Sequence, residues 1–379
     1  IVPETEEDTK IKLSGDKLWN EYAEADELGI KTKPMLTGAY TMLKLCRYTG
    51  NKSEKDYVGD IIAAYKELLQ TCGKKQIAWV QFDEPALVLD MNDSDKALFH
   101  QIYDELLAVE TDTKVLLQTY FGDIRDIYEE VIKMPFAGIG LDFIEGKQTC
   151  DLVSKYGFPK DKVLFAGVVN GKNIWKNHYD KTLKVLSGLR EKGIDTIIST
   201  SCSLLHVPYT LENEEKLSKE YTAYFSFAKE KLVELSELGK LADSKNYAEY
   251  EIFKKNHKLF SGSRDCTNKD VRNRLSKVCE SDYVRLPKRS ERQKIQKEEF
   301  KLPKFPTTTI GSFPQTKDVK ANRSAFKRGE KTEQEYVDFN KKKIAECVKW
   351  QEEIGIDVLV HGEYERNDMV EYFGESLGG

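Results

Sequence analysis

The chain has 379 residues, of which 40% are hydrophobic and 32% charged, an ordinary composition for a water-soluble globular protein with room for more than one domain. The formal net charge of −5 gives no general attraction to nucleic acid, and no apolar run reaches the roughly eighteen residues of a membrane span. From this charge and hydropathy we expect neither nucleic acid nor a membrane as partner. The seven cysteines are scattered without a CxxC pair, so we expect reduced thiols and a cytoplasmic location.

Six short apolar segments predict the strands of a parallel β-sheet. They are nearly continuous apolar runs, as expected for strands that are covered on both faces. The six segments begin at Lys33, Ile77, Val115, Gly138, Val163 and Thr196. The stretches between them are long enough for helical crossovers, and residues 57–72 and 96–109 have a helical pattern. This alternation predicts an α/β fold, either a (β/α)8 TIM-type barrel or an open doubly wound sheet.

The ends of these strands favour the barrel. Polar, Gly or Pro residues follow several strands, as at residues 83–85, and no GxGxxG motif of a nucleotide-binding sheet follows any of them. Because a barrel needs eight strands and six are counted, we expect two further strands ahead of Ile1. The chain does not begin with Met, and it stops shortly after a polar motif, so we interpret it as a possible fragment.

The region after residue 214 predicts a helix followed by a linker. Apolar residues at helical spacing from Leu217 to Leu235 predict one long amphipathic helix. Residues 268–304 are polar and rich in lysine, with interleaved glutamates and no aromatic platform, which predicts a solvated, partly helical linker rather than a nucleic-acid surface. The predicted first domain, a barrel incomplete at its start, therefore covers residues 1–267.

Residues 305–379 predict the start of a second barrel, represented by one βαβ unit. The segment PTTTIGSFP (306–314) has the β-branched residues of a strand and turns at Gly311. Thr332 and Glu335 fit a capping box that begins a helix over residues 333–354, and Gly355 fits its end. The segment IDVLVHGE then predicts a second strand. Such a unit alone could not bury its sheet edges or its helix face.

Two positions in the first domain could carry chemistry, and each has a structural alternative. Asp83 and Glu84 could act as an acid–base pair, but adjacent strand residues point to opposite faces, so one carboxylate could instead cap a turn or pair with a basic residue. A glycoside-cleaving site is disfavoured because it needs two carboxylates across a cleft. Cys202 and His206 could belong to a zinc site, or be a buried thiol and a hydrogen-bonded imidazole.

The second domain contains a possible amino-acid site. Gly311 would let a ligand approach the backbone, Ser312 adds a hydroxyl group, and Glu363 could bind an ammonium group. Taken separately, these segments could be only a turn and a solvated acidic loop. Because Ser312 and Glu363 would end neighbouring parallel strands at one rim, we predict that a single small ligand contacts both.

Several segments resemble the cobalamin-independent methionine synthase family, the 5-methyltetrahydropteroyltriglutamate–homocysteine methyltransferases. PTTTIGSFPQT (306–316) and VLVHGEYERNDMVEYFGE (358–375) are similar to the start of its catalytic barrel. WVQFDEPALVLD (79–90), AGVVNGKNIW (166–175) and STSCSLLHVP (199–208) are similar to its amino-terminal barrel. The resemblance covers nearly the whole chain and implies two (β/α)8 barrels, the first lacking its opening strands and the second represented by its first βαβ unit, residues 305–379.

The resemblance implies transfer of the methyl group of 5-methyltetrahydrofolate polyglutamate to the zinc-bound thiolate of homocysteine, without cobalamin. Ile310, Gly311, Ser312 and Glu363 would bind homocysteine, the first three at its carboxylate and Glu363 at its ammonium. The family's zinc ligands and proton-donating histidine are expected beyond Gly379, so no catalytic or metal-binding residue is assigned here. The family's homocysteine-binding copy of the QFDEPAL motif is in the second barrel, so Asp83 is not assigned a catalytic role. Cys202 and His206 belong to the barrel that has no zinc site in the family, so they are not assigned as zinc ligands.

The resemblance also implies that this polypeptide needs a partner, the remainder of the same protein. By itself the chain is expected to be inactive because the zinc ligands are absent. The alternative is a non-catalytic scaffold that presents a folate-facing surface and a partial homocysteine pocket.

Overall fold

The structure is a computed structural model that describes residues 4–262 and 268–377. The chain divides into two compact units, Ile1–Ser263 and Arg264–Gly379, called unit 1 and unit 2 below. The predicted domain limits at residues 267 and 304 stay predictions, because this division gives a single split between two units. None of the helices in the described ranges is long and apolar enough to cross a membrane.

Unit 1 is built on a six-stranded parallel sheet. In chain order the strands are β1 Glu4–Thr5, β2 Met35–Thr37, β3 Arg47–Tyr48, β4 Trp79–Asp83, β5 Lys114–Gln118, β6 Gly138–Asp142, β7 Val163–Val169 and β8 Thr196–Thr200. The sheet has the order β2-β4-β5-β6-β7-β8, and β1 pairs with β3 outside it. All of these pairs are parallel. This sequential order is that of a TIM-type barrel, and the predicted α/β fold with six parallel strands is confirmed.

Helices lie between the strands of unit 1 and after the last of them. They are α1 Lys17–Glu27, α2 Ala39–Leu45, α3 Val58–Lys74, α4 Asp93–Leu107, α5 Tyr128–Val131, α6 Thr149–Tyr156, α7 Tyr179–Glu191, α8 Lys219–Thr222, α9 Ala228–Ala242 and α10 Glu251–Ser261. The helices predicted at 57–72 and 96–109 are confirmed as α3 and α4, with ends displaced by three residues or fewer. One face of α3 is apolar and packs into the core, which also contains these strand residues: Val80, Phe82, Leu117 and Ile139.

The first predicted strand is shorter than its apolar run suggests. Strand β2 ends at Thr37, and the chain enters α2 directly after Gly38. The N–H groups of Tyr40 and Thr41, in the first turn of α2, donate to the side chain of Glu84. A contact 44 residues away along the chain therefore stabilises the helix start, and no local pattern could predict it.

The single long helix predicted after residue 214 is wrong. Helix α8 ends at Thr222, and Phe225 then forms an isolated antiparallel bridge with Trp175 before α9 begins. The two aromatic rings meet edge to face with centroids 5.4 Å apart. Leu217 and Leu232, both members of the predicted apolar stripe, are exposed. The aromatic contact with a distant loop thus outweighs the local helical pattern.

Unit 2 contains five helices within its described residues: α11 Lys269–Leu275, α12 Arg289–Phe300, α13 Lys317–Lys327, α14 Glu333–Ile354 and α15 Met369–Glu375. Helix α14 has the predicted bounds. Thr332 Oγ1 accepts a hydrogen bond from the backbone N–H of Glu335 at 3.2 Å, and the Glu335 carboxylate accepts one from Thr332 N–H at 2.8 Å. Gly355 follows in the left-handed region with φ 84°. The predicted capping box and helix end are therefore confirmed.

The two strands predicted around α14 are reduced to isolated contacts. Thr308 bridges Val358, and Ser312 bridges Gly362, both in the parallel sense. The predicted parallel pairing is present, but continuous strands are not. Neither segment pairs with a third strand within the described part of unit 2, and a single strand pair without further partners is only marginally stable.

Candidate functional site

The predicted amino-acid site lies where the two parallel segments of unit 2 end. Beside the Ser312–Gly362 bridge, Phe313 N–H donates to the carbonyl oxygen of Gly362 at 2.9 Å. This register places Gly311 against Glu363, so that a Cβ on Gly311 would lie 2.7 Å from Oε1 of Glu363. The structure thus brings Gly311, Ser312 and Glu363 together at one end of the paired segments.

The backbone at this place has the conformation that a close approach requires. Gly311 has φ 137°, which L side chains rarely adopt, and this explains why a glycine is needed there. Glu363 has φ 59°, a left-handed conformation that is uncommon for a residue with a side chain. Ser312 is exposed, and the Ile310 side chain is fully exposed. Ile310 therefore adds no enclosing surface with its side chain.

The Glu363 carboxylate has a cationic neighbour that the sequence analysis missed. Nη2 of Arg366 forms an ion pair with Oε1 of Glu363. The backbone of Glu363 is held as well, because its carbonyl oxygen accepts hydrogen bonds from Arg366 N–H at 3.2 Å and from Gln315 Nε2 at 3.4 Å. The available signal was the short spacing of opposite charges in the EYER segment, residues 363–366.

A second carboxylate lies beside this pair. Oε1 of Glu365 is 2.9 Å from Nε2 of His361 and 3.8 Å from Nε of Arg366. Burial opposes ionisation of Glu365, but the hydrogen bond from His361 and the nearby positive charges lower its pKa. Arg323 holds the loop by donating to the carbonyl oxygens of Tyr364 at 3.2 Å and Arg366 at 3.0 Å. The acidic segment is therefore ordered by specific bonds.

Glu84 of unit 1 has a structural role. Its side chain is fully buried and accepts hydrogen bonds from Tyr40 N–H at 3.0 Å, Thr41 N–H at 2.7 Å and the hydroxyl of Tyr103. Burial raises its pKa to about 7, although these hydrogen bonds oppose the rise. A Cβ on Gly38 would lie 2.1 Å from its Oε1, so the carboxylate fits against bare backbone. Of the alternatives left open by the sequence, the structural one applies to Glu84, because its carboxylate caps the first turn of α2.

Asp83 contacts other groups than Glu84 does. Its Oδ1 accepts a hydrogen bond from Gln81 Nε2 at 2.7 Å. Burial raises the pKa of Asp83, while the hydrogen bonds from Gln81 and Tyr120 and the charge of Lys33 oppose the rise. The two neighbouring carboxylates therefore do not share a site, as the alternation of strand side chains predicts.

Cys202 and His206 are not brought together around a metal position. Cys202 is buried, its Sγ lies 3.7 Å from the carbonyl oxygen of Ser203, and burial raises the pKa of its thiol. His206 is exposed, with its ring centroid 5.3 Å from that of Phe121. Within residues 4–262 and 268–377, no three His, Cys, Asp or Glu residues are grouped so that they could hold a metal ion. The described residues thus do not fit the zinc that the resemblance implies.

Comparison with known proteins gives a consistent match along the chain. The family described as "Cobalamin-independent synthase, N-terminal domain" matches residues 1–193, and "Cobalamin-independent synthase, Catalytic domain" matches residues 305–379. A solved structure of a B12-independent methionine synthase from Shewanella sp. W3-18-1, in complex with selenomethionine, aligns with TM-score 0.47 and 13% identity over 62% of this chain and 69% of that chain.

Two curated relatives are similar over the full length of this chain. Each is named 5-methyltetrahydropteroyltriglutamate–homocysteine methyltransferase, one from Lactococcus lactis subsp. lactis (strain IL1403) and one from Campylobacter jejuni (strain RM1221). Both are 50% identical over 379 residues, which are 100% of this chain and 49% and 50% of the relatives. The chain thus spans about half the length of the curated relatives it matches. Because the amino-terminal domain match alone covers more than half of the chain, this chain belongs to the cobalamin-independent methionine synthase family.

Proposed function

We propose that the protein to which this chain belongs transfers the methyl group of 5-methyltetrahydrofolate polyglutamate to homocysteine, giving methionine. One observation carries the proposal: the parallel register of unit 2 sets Ser312 and Gly311 beside Glu363, within the segment that matches the catalytic domain of the family. The relatives' printed name states the same reaction for those proteins. A cytoplasmic location is part of the proposal and is supported by the free thiols of the six described cysteines.

The proposed role of the site is to hold the amino-acid end of homocysteine. The hydroxyl of Ser312 and the backbone at Gly311 would donate hydrogen bonds to its carboxylate, and Glu363 would accept hydrogen bonds from its ammonium group. Charge-assisted hydrogen bonds of this kind are shorter and stronger than neutral ones. With both charged groups held, the thiol would lie at a fixed distance from the pair, and such orientation lowers the entropic part of the barrier to methyl transfer.

Zinc belongs to the proposal only in a limited way. A bound zinc ion would turn the homocysteine thiol, whose pKa is ordinarily about 8.5, into a thiolate at neutral pH. The described residues offer no ligand group for it. We therefore assign the metal, as part of the proposal, to the half of the relatives' length that this chain does not match, and no step of this chain's residues depends on it.

Complementation tests the proposal. The purified chain would be mixed with the segments of the Lactococcus lactis relative that this chain does not match, and methionine formation from homocysteine and 5-methyltetrahydrofolate measured. We expect activity in the mixture and none with this chain alone or with those segments alone. Glu363→Gln should abolish it, whereas Glu353→Gln, which removes an exposed carboxylate from α14, should not.

Two outcomes would contradict parts of this proposal. Methionine formation by the chain alone would show that the expected inactivity is wrong. Binding of homocysteine without any activity in the mixture would favour the alternative of a non-catalytic scaffold with a partial homocysteine pocket.

A further inference from the structure

The oxygen of Glu363 that faces Gly311 is already in contact with a cation. Oε1 is the atom that a Cβ on Gly311 would approach to 2.7 Å, and it is also the atom that Nη2 of Arg366 contacts. The Arg366 side chain is only 17% exposed. An ammonium group that approached this oxygen from the side of Gly311 would therefore have to displace the guanidinium group of Arg366.

Arg366 has a second acceptor within reach. Its Nε is 3.8 Å from Oε1 of Glu365, beyond a hydrogen bond. This Nε and the other carboxylate oxygen of Glu365, Oε2, are both buried without a hydrogen-bond partner. Buried polar atoms without partners are rare because each costs free energy. A small shift of Arg366 from Glu363 toward Glu365 would bring its Nε within hydrogen-bond distance of the Glu365 carboxylate.

Two aromatic rings contact the guanidinium group in its present position beside Glu363. Cζ of Arg366 lies 5.9 Å from the ring centroids of Tyr372 and Phe373 in α15. Contacts of this length over aromatic faces are attractive for a guanidinium. The guanidinium group therefore has an attractive contact with α15 in addition to its ion pair with Glu363.

We propose that Arg366 occupies the ammonium position of the amino-acid site when no ligand is bound, and moves its pairing to Glu365 when a ligand's ammonium binds Glu363. This inference rests on the proposed function of the site. After the exchange, Glu363 would be paired with the ligand's ammonium group and Glu365 with Arg366. Arg366 is thereby a positioning residue that sets the affinity of the site for amino acids through competition.

Removing the competitor should tighten binding of amines only. The ion pair is partly exposed, and pairs of this kind correspond to a factor of about two to five in affinity. In the 379-residue chain, Arg366→Gln should bind methionine about two- to fivefold more tightly by isothermal titration calorimetry. Arg366→Lys keeps a cation and should stay near the parent affinity. The desamino analogue 4-methylthiobutyrate carries no ammonium group, so its binding should not tighten.

A matched control removes a different cation from the same unit. Lys327 pairs with Glu371 and Glu375, so Lys327→Gln changes the local charge without changing the Glu363 pair. It should leave methionine binding unchanged. Circular dichroism would verify that each variant keeps the parent's helical content, so that affinities compare folded proteins.

The possible outcomes distinguish the inference about Arg366 from the proposed function on which it rests. If the parent chain binds methionine through Glu363, as shown by loss in Glu363→Gln, and Arg366→Gln binds no more tightly, the inference is wrong and the proposed site stands. If Lys327→Gln tightens methionine binding as much as Arg366→Gln does, the tightening is a general effect of charge, and the proposed competition by Arg366 is wrong. If neither the parent nor Arg366→Gln binds methionine, both the proposed site and the inference are wrong.

Discussion

Gly311 lies so close to Glu363 that a single added carbon would collide with it, at 2.7 Å from Oε1. Gly311→Ala should therefore displace the carboxylate, and it should also strain a backbone with φ 137°. We expect methionine binding to fall at least tenfold, measured by titration calorimetry of the 379-residue chain.

The control for this substitution is Gly374→Ala in α15, where an added Cβ meets nothing within 4 Å. It should leave binding unchanged, and it should stabilise the helix by up to about 1 kcal/mol because alanine is the better helix former. Equal losses of binding in the two variants would contradict a specific role for Gly311.

The buried carboxylate of Glu84 should make the stability of unit 1 depend on pH. Its pKa is raised from 4.5 to about 7 by burial, so the folded state holds the proton more tightly than the unfolded state does. The contribution of protonated Glu84 to the free energy of unfolding is fully present below pH 4.5. It is lost as the pH rises through 7, and the loss is on the order of 3 kcal/mol. Glu84→Gln cannot titrate, so the parent's stability advantage over this variant should shrink across that interval in thermal unfolding. A constant difference between the two would contradict the raised pKa.

The capping box at Thr332 should stabilise the start of α14. Thr332→Ala removes the side-chain oxygen that accepts from the Glu335 N–H, and losses of this kind cost about 1 kcal/mol. Hydrogen exchange of the first turn of α14 should accelerate about fivefold. Thr316→Ala is the control, because Thr316 precedes α13 without a side-chain cap of that helix. Equal acceleration at both helix starts would mean that the cap contributes little.

Cys202 and His206 should make no joint contribution to metal binding. The thiol is buried beside Ser203, and the imidazole lies against Phe121. We expect the double variant Cys202→Ser/His206→Ala to take up the same amount of zinc as the parent chain in equilibrium dialysis. A clear drop in bound zinc would show that the two residues do share a metal.

Local signals predicted part of the fold closely. The bounds of α14 followed from Thr332, Glu335 and Gly355 because caps depend on neighbouring residues. The six parallel strands followed from apolar runs that need only their own composition. In contrast, the helical segment after Gly38 depends on Glu84, and the break before α9 depends on Trp175. Those contacts join residues far apart in the chain, so no window of sequence contains them.

The candidate site shows the same division. The proximity of Ser312 and Glu363 followed from the rule that parallel strands end at one rim. The ion pair of Glu363 with Arg366 depends on how the loop folds back, with the left-handed conformation at Glu363 and the bonds from Arg323. Charge spacing alone would have allowed either Glu363 or Glu365 as the partner of Arg366.

The close packing and hydrogen bonding of the Glu84 carboxylate have a practical consequence for protein engineering. An acidic residue directly after a strand is an attractive position for engineering a new ligand-binding site at that end of the sheet. Here the oxygens already serve the first turn of α2 and the hydroxyl of Tyr103, and Gly38 leaves no gap beside them. An engineer who wanted this acid for recognition would first have to provide α2 with another source of acceptors.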